Sequence, residues 1–283
     1  MADQRFGIST HLFHEQRLTR EQLADIAGHG FEAVEVFATR AHFDYRNPRA
    51  VDELAEWLAD LRLDFHSVHA PIVDAIRDGK WVGSFSIASG DETRRKAAVA
   101  ETHAALKVAG AVPFKYLVVH LGIPTGQATL PGDNRADAAR RSVEEIVALA
   151  REVNVRVALE VMPNALSSPA TICSLIEDEL EGVDVGVCLD YGHGNLMGDL
   201  GEAIETVGGH LWTTHVHDND GRRDDHRVPF AGQIDWDAAM METQKIGYDG
   251  MLMFEVADSG DPIGVLKRTA SARERLDKMF VTF

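Results

Sequence analysis

The chain has 283 residues, 45% of them apolar and 26% charged, the balance of an ordinary soluble globular protein. Its formal net charge of -17 argues against nucleic acid as a partner, because affinity for a phosphate backbone rests on Lys and Arg neutralising phosphates. No apolar run is long enough to span a bilayer, and Met1-Ala2-Asp3-Gln4-Arg5 lacks the basic-then-apolar layout of a secretory signal, so no membrane association and a cytoplasmic location are expected.

The elements alternate between strand and helix, the pattern that builds a parallel sheet flanked by helices. Arg5 to Ser9 reads as the first strand. Thr19 followed by Gln22 resembles a capping box, and Leu23, Ile26 and Ala27 keep helical spacing until His29-Gly30. Ala33 to Phe37 is the second strand; Pro48 opens a helix with Val51, Leu54, Ala55, Leu58 and Leu61 on one face; Asp64 to His69 is the third strand. A helix from about Glu92 to Ala109 leads to Tyr116 to His120, and Val143, Ile146, Val147 and Ala150 mark the helix before Val155 to Glu160. Ser168-Pro169 supplies a cap and a first-turn proline, after which Val185 to Asp190, Leu211 to His217 and Met251 to Glu255 complete eight strands. Asp261-Pro262 starts a last helix. The strands are apolar almost throughout, as strands covered on both faces should be. One closed (β/α)8 barrel spanning residues 1–283 accounts for the whole chain, since such a barrel takes about 250 residues. The competing open, doubly wound sheet lacks a Gly-rich turn after its first strand. Cys173 and Cys188 fall on a helix and a strand, which fits neither a disulfide framework nor a Cys-zinc site.

In a parallel barrel chemistry collects where the strands end. Those ends read His69, His120, Glu160, Asp190, His217 and Glu255, so six of eight strands finish on a possible metal ligand. Carboxylates converging on one mouth repel each other unless a cation lies between them. A mixed carboxylate and imidazole set suits Mn, Zn, Co or Fe(II), and the lack of thiolate argues against a purely structural zinc. His193 lies three residues beyond Asp190, and His215 lies two before His217 and points the same way. The loop from Asp218 to Phe230 carries Arg222, Arg223, Asp224, Asp225 and His226. His66 is either core or rim, His11 and His14 are expected to shape the mouth, and His29, His42, His103 and His210 to be caps or surface residues.

The stretches His-Ala-Pro at 69 to 71, Val-Val-His at 118 to 120, Ala-Leu-Glu at 158 to 160, Cys-Leu-Asp-Tyr-Gly-His at 188 to 193, His-Val-His-Asp-Asn-Asp at 215 to 220 and Phe-Glu at 254 to 255 resemble the xylose-isomerase-like TIM barrel superfamily. That superfamily includes sugar and sugar-phosphate isomerases and epimerases, and apurinic-site endonucleases of the endonuclease IV type. Resemblance to the ketohexose 3-epimerase branch implies one divalent metal, Mn or Zn foremost with Co, Mg or Fe as alternatives, on Glu160, Asp190, His217 and Glu255. It also implies proton transfer by Glu160 and Glu255 through a metal-stabilised enediolate, with His193 and Arg223 holding a sugar-like substrate beside His69 and His120. The Glu that those epimerases place shortly after the strand-five ligand has no counterpart in Val161-Met162-Pro163-Asn164-Ala165-Leu166, which points away from ketohexose itself.

Resemblance to the endonuclease branch implies three zinc ions instead, the further ligands being His69, His120, His193, Asp224 and His226. That set is the basis for an alternative reading as a zinc-dependent phosphodiesterase not acting on DNA. A third reading is a barrel that keeps metal only for stability. Superfamily members are often dimers or tetramers, so a homo-oligomer is an expectation carried by the resemblance.

Overall fold

The computed structural model describes residues 5–78, 80–127 and 130–280, so Met1 to Gln4 of the expected leaderless start lie outside the described residues. In chain order the strands and helices are β1 (Phe6–Ser9), α1 (Arg20–Gly28), β2 (Ala33–Phe37), α2 (Pro48–Leu61), β3 (Asp64–His69), β4 (Val73–Arg77), β5 (Lys80–Ser84), α3 (Glu92–Leu106), β6 (Tyr116–Val119) and α4 (Ala136–Glu152). They continue through β7 (Arg156–Glu160), α5 (Pro169–Ser174), β8 (Val185–Asp190), α6 (Tyr191–Met197), α7 (Leu200–Val207), β9 (Leu211–Val216), α8 (Trp236–Lys245), β10 (Leu252–Phe254) and α9 (Pro262–Phe280). Eight strands pair in parallel in the closed order β1-β10-β9-β8-β7-β6-β3-β2. The pairing of Phe6 with Leu252 closes the ring and rules out the open sheet.

Local chemistry sets the helix starts as expected. Thr19 and Gln22 form a reciprocal capping box at α1, Asn47 caps α2 ahead of Pro48, and Ser168 caps α5 ahead of Pro169. Strand residues such as Leu117, Leu159, Val187 and Leu189 are fully buried between barrel and helices, each contributing about 1.5–3 kcal/mol of burial. Two smaller apolar groups, Val118 with Ala158 and Cys188, and Ala33 with Met251 and Met253, are separate from that main core. By strand alternation they face the barrel interior.

The sequence reading left the chain between β3 and α3 unassigned. It holds an antiparallel hairpin, β4 with β5, that belongs to no barrel pair. His42, expected to be a cap or a surface residue, is fully buried. Its Nδ1 lies 2.6 Å from the Gln16 carbonyl and its Nε2 3.0 Å from Thr10 Oγ1, so both ring nitrogens are satisfied inside the protein. His66 proves to be core, close to the start of β3 and away from the strand ends, with Nε2 3.3 Å from Thr213 Oγ1.

Candidate metal centre

The carboxyl ends of β3, β6, β7 and β10 deliver His69, His120, Glu160 and Glu255 to one cavity of about 220 Å³, while Asp190 and His217, at the ends of β8 and β9, are fully buried. His69, Glu160 and Asp190 are the last residues of β3, β7 and β8, while His120, His217 and Glu255 follow β6, β9 and β10 by one position. Three groups of side chains there have potential ligand atoms within 4.8 Å of one another: Glu160 with Asp190, His215 and Glu255; His69 with His120 and Glu160; and His193 with His217, Asp224 and His226.

The first group departs from the sequence expectation at one residue. His215, not His217, stands among the carboxylates, its Nδ1 lying 3.5 Å from Glu160 Oε1, 3.4 Å from Glu255 Oε2 and 4.0 Å from Asp190 Oδ2. His217 keeps Asp190, at 3.0 Å from Nε2 to Oδ1, but turns to Asp224 and His226, against whose ring it stacks at 4.0 Å. Both residues point inward because they are two apart on one strand; the alternation fixes the face but not the depth. Gly192 makes room for this arrangement, since a Cβ there would fall on the His217 imidazole.

The ligand atoms are oriented by what holds their far sides. The Nδ1 atoms of His69, His193 and His226 lie 2.9, 3.1 and 2.9 Å from the carbonyls of Ala70, Val161 and Glu255. A carbonyl only accepts, so Nδ1 carries the proton and Nε2 is left facing the cavity. There His69 Nε2 and His120 Nε2 lie 3.2 and 3.1 Å from Glu160 Oε2, and His193 Nε2 and His226 Nε2 lie 3.0 and 3.3 Å from Asp224 Oδ2. Glu160 therefore offers Oε2 to one group and Oε1 to another.

Burial penalises every charge here, yet Glu160, Asp190 and Asp224 stay ionised. For Glu160 the cost of burial is outweighed by His120 and His215, which hold its pKa well below the usual carboxylate range; for Asp190 it is outweighed by His193 and His217, which lower its pKa. Burial also works against protonated His226, but Asp224 and Glu255 prevail and raise it to about 10. His193 and His215 are likewise pushed well above their ordinary value against burial, His193 by Asp190 and Asp224 and His215 by Cys188, Glu255 and Glu35. A field that favours an extra proton on imidazole favours a metal cation in the same place. Among the buried atoms of the described residues that have no hydrogen-bond partner, Glu160 Oε1 and His215 Nδ1 face each other. Buried polar atoms left this way are costly unless something coordinates them. The residues present thus fit a divalent ion of the kind bound by carboxylate and imidazole.

The remaining wall is apolar on one side, with Phe37, Ile72, Ile76 and Trp81, and carries His11 and His14 as expected. Arg223 does not line the cavity; its side chain is 74% exposed and reaches Asp220 and Asp225. The sequence reading overlooked Glu35, a fully buried carboxylate within β2. Its signal was a lone acid in the apolar run Ala33-Val34-Glu35-Val36-Phe37.

The family model described as xylose isomerase-like TIM barrel matches residues 23–279. Among curated relatives, the uncharacterized protein MJ1311 of Methanocaldococcus jannaschii is 28% identical over 269 residues, covering 92% of this chain and 86% of its own length. Among solved structures, a D-tagatose 3-epimerase-like protein superposes with a TM-score of 0.78 at 24% identity, over 98% of this chain and 97% of that one. The IOLI protein with a binding zinc atom gives a TM-score of 0.78 at 17% identity, over 99% and 100% of the two chains.

Proposed function

The chain belongs to the xylose isomerase-like TIM barrel family, and from that membership we propose that it is a divalent-metal-dependent isomerase or epimerase of a small polyhydroxy carbonyl compound. The observation that carries this reading is the convergence of Glu160, Asp190, His215 and Glu255 on two buried, unpartnered ligand atoms. Sugar epimerases among its structural neighbours support it. Mn or Zn suits the donor set better than Mg, because it includes an imidazole beside the carboxylates.

When bound, the ion would supply Lewis acidity toward a carbonyl oxygen and the adjacent hydroxyl of the substrate. The chain's own residues would do the rest. Glu160 and Glu255 approach His215 Nδ1 from strands three places apart in the ring, at 3.5 and 3.4 Å. Two carboxylates so separated suit removal of a proton from one face of a carbon and its return to the other. His193 would hold a substrate oxygen, while Arg223 would have to leave Asp220 and Asp225 to take part. The wall of Phe37, Ile72, Ile76 and Trp81 suits a carbon chain better than a phosphate.

The test is incorporation of solvent deuterium next to the carbonyl in a panel of keto- and aldo-sugars, catalysed by the metal-loaded protein. Glu160→Gln should lower that exchange about 10²–10⁴-fold with the circular dichroism spectrum unchanged. Failure of the wild-type protein to exchange any member of the panel would sink the proposal.

A second reading, a multinuclear phosphoesterase, is favoured by one specific observation: the His69–His120–Glu160 and His193–His217–Asp224–His226 groups flank the first. Three ions per chain by elemental analysis, with hydrolysis of an aryl phosphodiester, would select it over the isomerase. A single ion and no hydrolysis would remove it.

A further inference from the structure

Four of the histidines at the mouth turn Nδ1 toward a backbone carbonyl and Nε2 toward the cavity: His69, His193, His217 and His226. His215 is reversed. Its Nδ1 faces the carboxylates of Glu160 and Glu255, and its Nε2 points back into the barrel, where no carbonyl meets it. What meets it is Glu35, both of whose oxygens lie 3.1 Å from that nitrogen.

Glu35 is fully buried at the middle of β2 and belongs to none of the three ligand groups. A carboxylate in that place costs several kcal/mol unless it is paired. The pairing is specific. Ser67 Oγ, opposite it on β3, donates to Oε2 at 2.8 Å, and His215 Nε2 lies 3.1 Å from the same oxygen, so Oε2 takes both. Carboxylates on both sides favour a proton on each nitrogen while no ion is bound; an ion taking the side of Glu160, Asp190 and Glu255 displaces the Nδ1 proton, and the remaining proton stays on Nε2, held by Glu35. An ionised acceptor behind a ligating imidazole also raises the electron density on the other nitrogen.

We infer that Glu35 is the positioning residue of the metal centre, fixing the tautomer and ring orientation of His215 from inside the barrel so that Nδ1 completes the Glu160–Asp190–Glu255 group. Ser67 in turn orients Glu35. The inference rests on the reading that this group binds a divalent ion, and it is independent of which substrate is turned over.

The test uses the full chain loaded with ¹¹³Cd and labelled with ¹⁵N on histidine. In the wild-type protein the cadmium resonance should couple to His215 Nδ1, with Nε2 protonated. Glu35→Gln keeps the shape and a weaker acceptor and should weaken ion binding about tenfold; Glu35→Leu should weaken it toward 100-fold, the range typical of groups behind a ligand. Glu35→Asp should recover part of the loss. A role in barrel stability alone would shift the melting temperature and leave both the coordinating nitrogen and the affinity as they are. Coupling through Nε2, or Glu35 variants that bind the ion within twofold of wild type, overturns the inference, and the first of these needs no variant to fold. A wild-type protein that takes up no ion overturns it together with the metal-dependent function. Ion binding that depends on Glu35 in a protein without deuterium exchange leaves the inference standing and removes the isomerase.

Discussion

His215 and His217 differ by two positions and by what each touches, and the difference predicts unequal parts in ion binding. His215 lies among Glu160, Asp190 and Glu255, whereas His217 shares Asp190 but packs on His226. His215→Asn should therefore abolish binding of the tightest ion and reduce turnover to background. His217→Asn should cost less, since Asp190 and Asp224 keep other partners; equilibrium dialysis of the two variants side by side makes the comparison. Equal loss in both would return His217 to the position first expected of it. This pairing was only half legible in the sequence, because a period of two assigns both imidazoles to the interior but says nothing of their height. His42 is a second residue whose burial was not legible. Its pKa is lowered to about 4, by burial first, so between pH 6.5 and pH 4 the unfolded chain binds more protons than the folded one. Stability should be flat above pH 6.5 in this respect and fall below it, by up to about 3 kcal/mol at pH 4. Urea midpoints of His42→Gln and wild type at pH 7 and pH 5 check this, and the acid fall should be smaller in the variant.

The hairpin of β4 and β5 and the loop after β9 are the elements that turn a barrel mouth into a cavity. The hairpin brings Ile76 and Trp81 over one side, where they join Phe37 and Ile72. Its strands are short and mixed in polarity, and half exposed, so neither the buried-strand pattern nor helical spacing singles them out. The loop after β9 is organised by buried Asp218, which accepts from the amides of Phe230 and Ile234 at 2.9 and 3.1 Å and from Trp236 Nε1 at 3.0 Å. That brace holds Asp224 and His226 at the cavity, with His226 in the left-handed region at a φ of 43°. Asp224 and His226 entered the sequence reading as further ligands implied by resemblance to the endonuclease branch; the Asp218 brace that aims them depends on contacts twelve or more residues away and was not legible. If the hairpin only holds substrate, Trp81→Ala should raise KM about tenfold and leave kcat within about twofold, because it removes binding shared by ground and transition states. Steady-state kinetics on the substrate found by deuterium exchange distinguishes this from a fall in kcat alone, which would give Trp81 a part in the reaction step.

At the scale of the whole molecule, the barrel was legible because eight buried strands announce themselves as eight apolar runs, each separated by helical spacing and capping residues. The mouth was legible because those runs end on ionisable residues. The apolar core and the charged mouth are separate sources of stability, and the chain puts them at different heights: the groups Val118–Ala158–Cys188 and Ala33–Met251–Met253 pack without charge, whereas Glu160, Asp190, Asp224 and Glu255 crowd the rim. Removing a bound cation should then leave the barrel folded and cost only the linkage term. At a free-ion concentration 100 times the dissociation constant that term is about 2.7 kcal/mol, about 5 °C in melting temperature for a chain of this size. Differential scanning calorimetry with Mn or Zn and with chelator measures it. A melting temperature indifferent to metal would contradict the mouth as a cation site, and unfolding at 25 °C on chelation would contradict a core that stands without it. The expected result lies between them: a folded barrel, less stable by a few degrees, in which the carboxylates rely on protonated histidines for the positive charge that the ion otherwise provides.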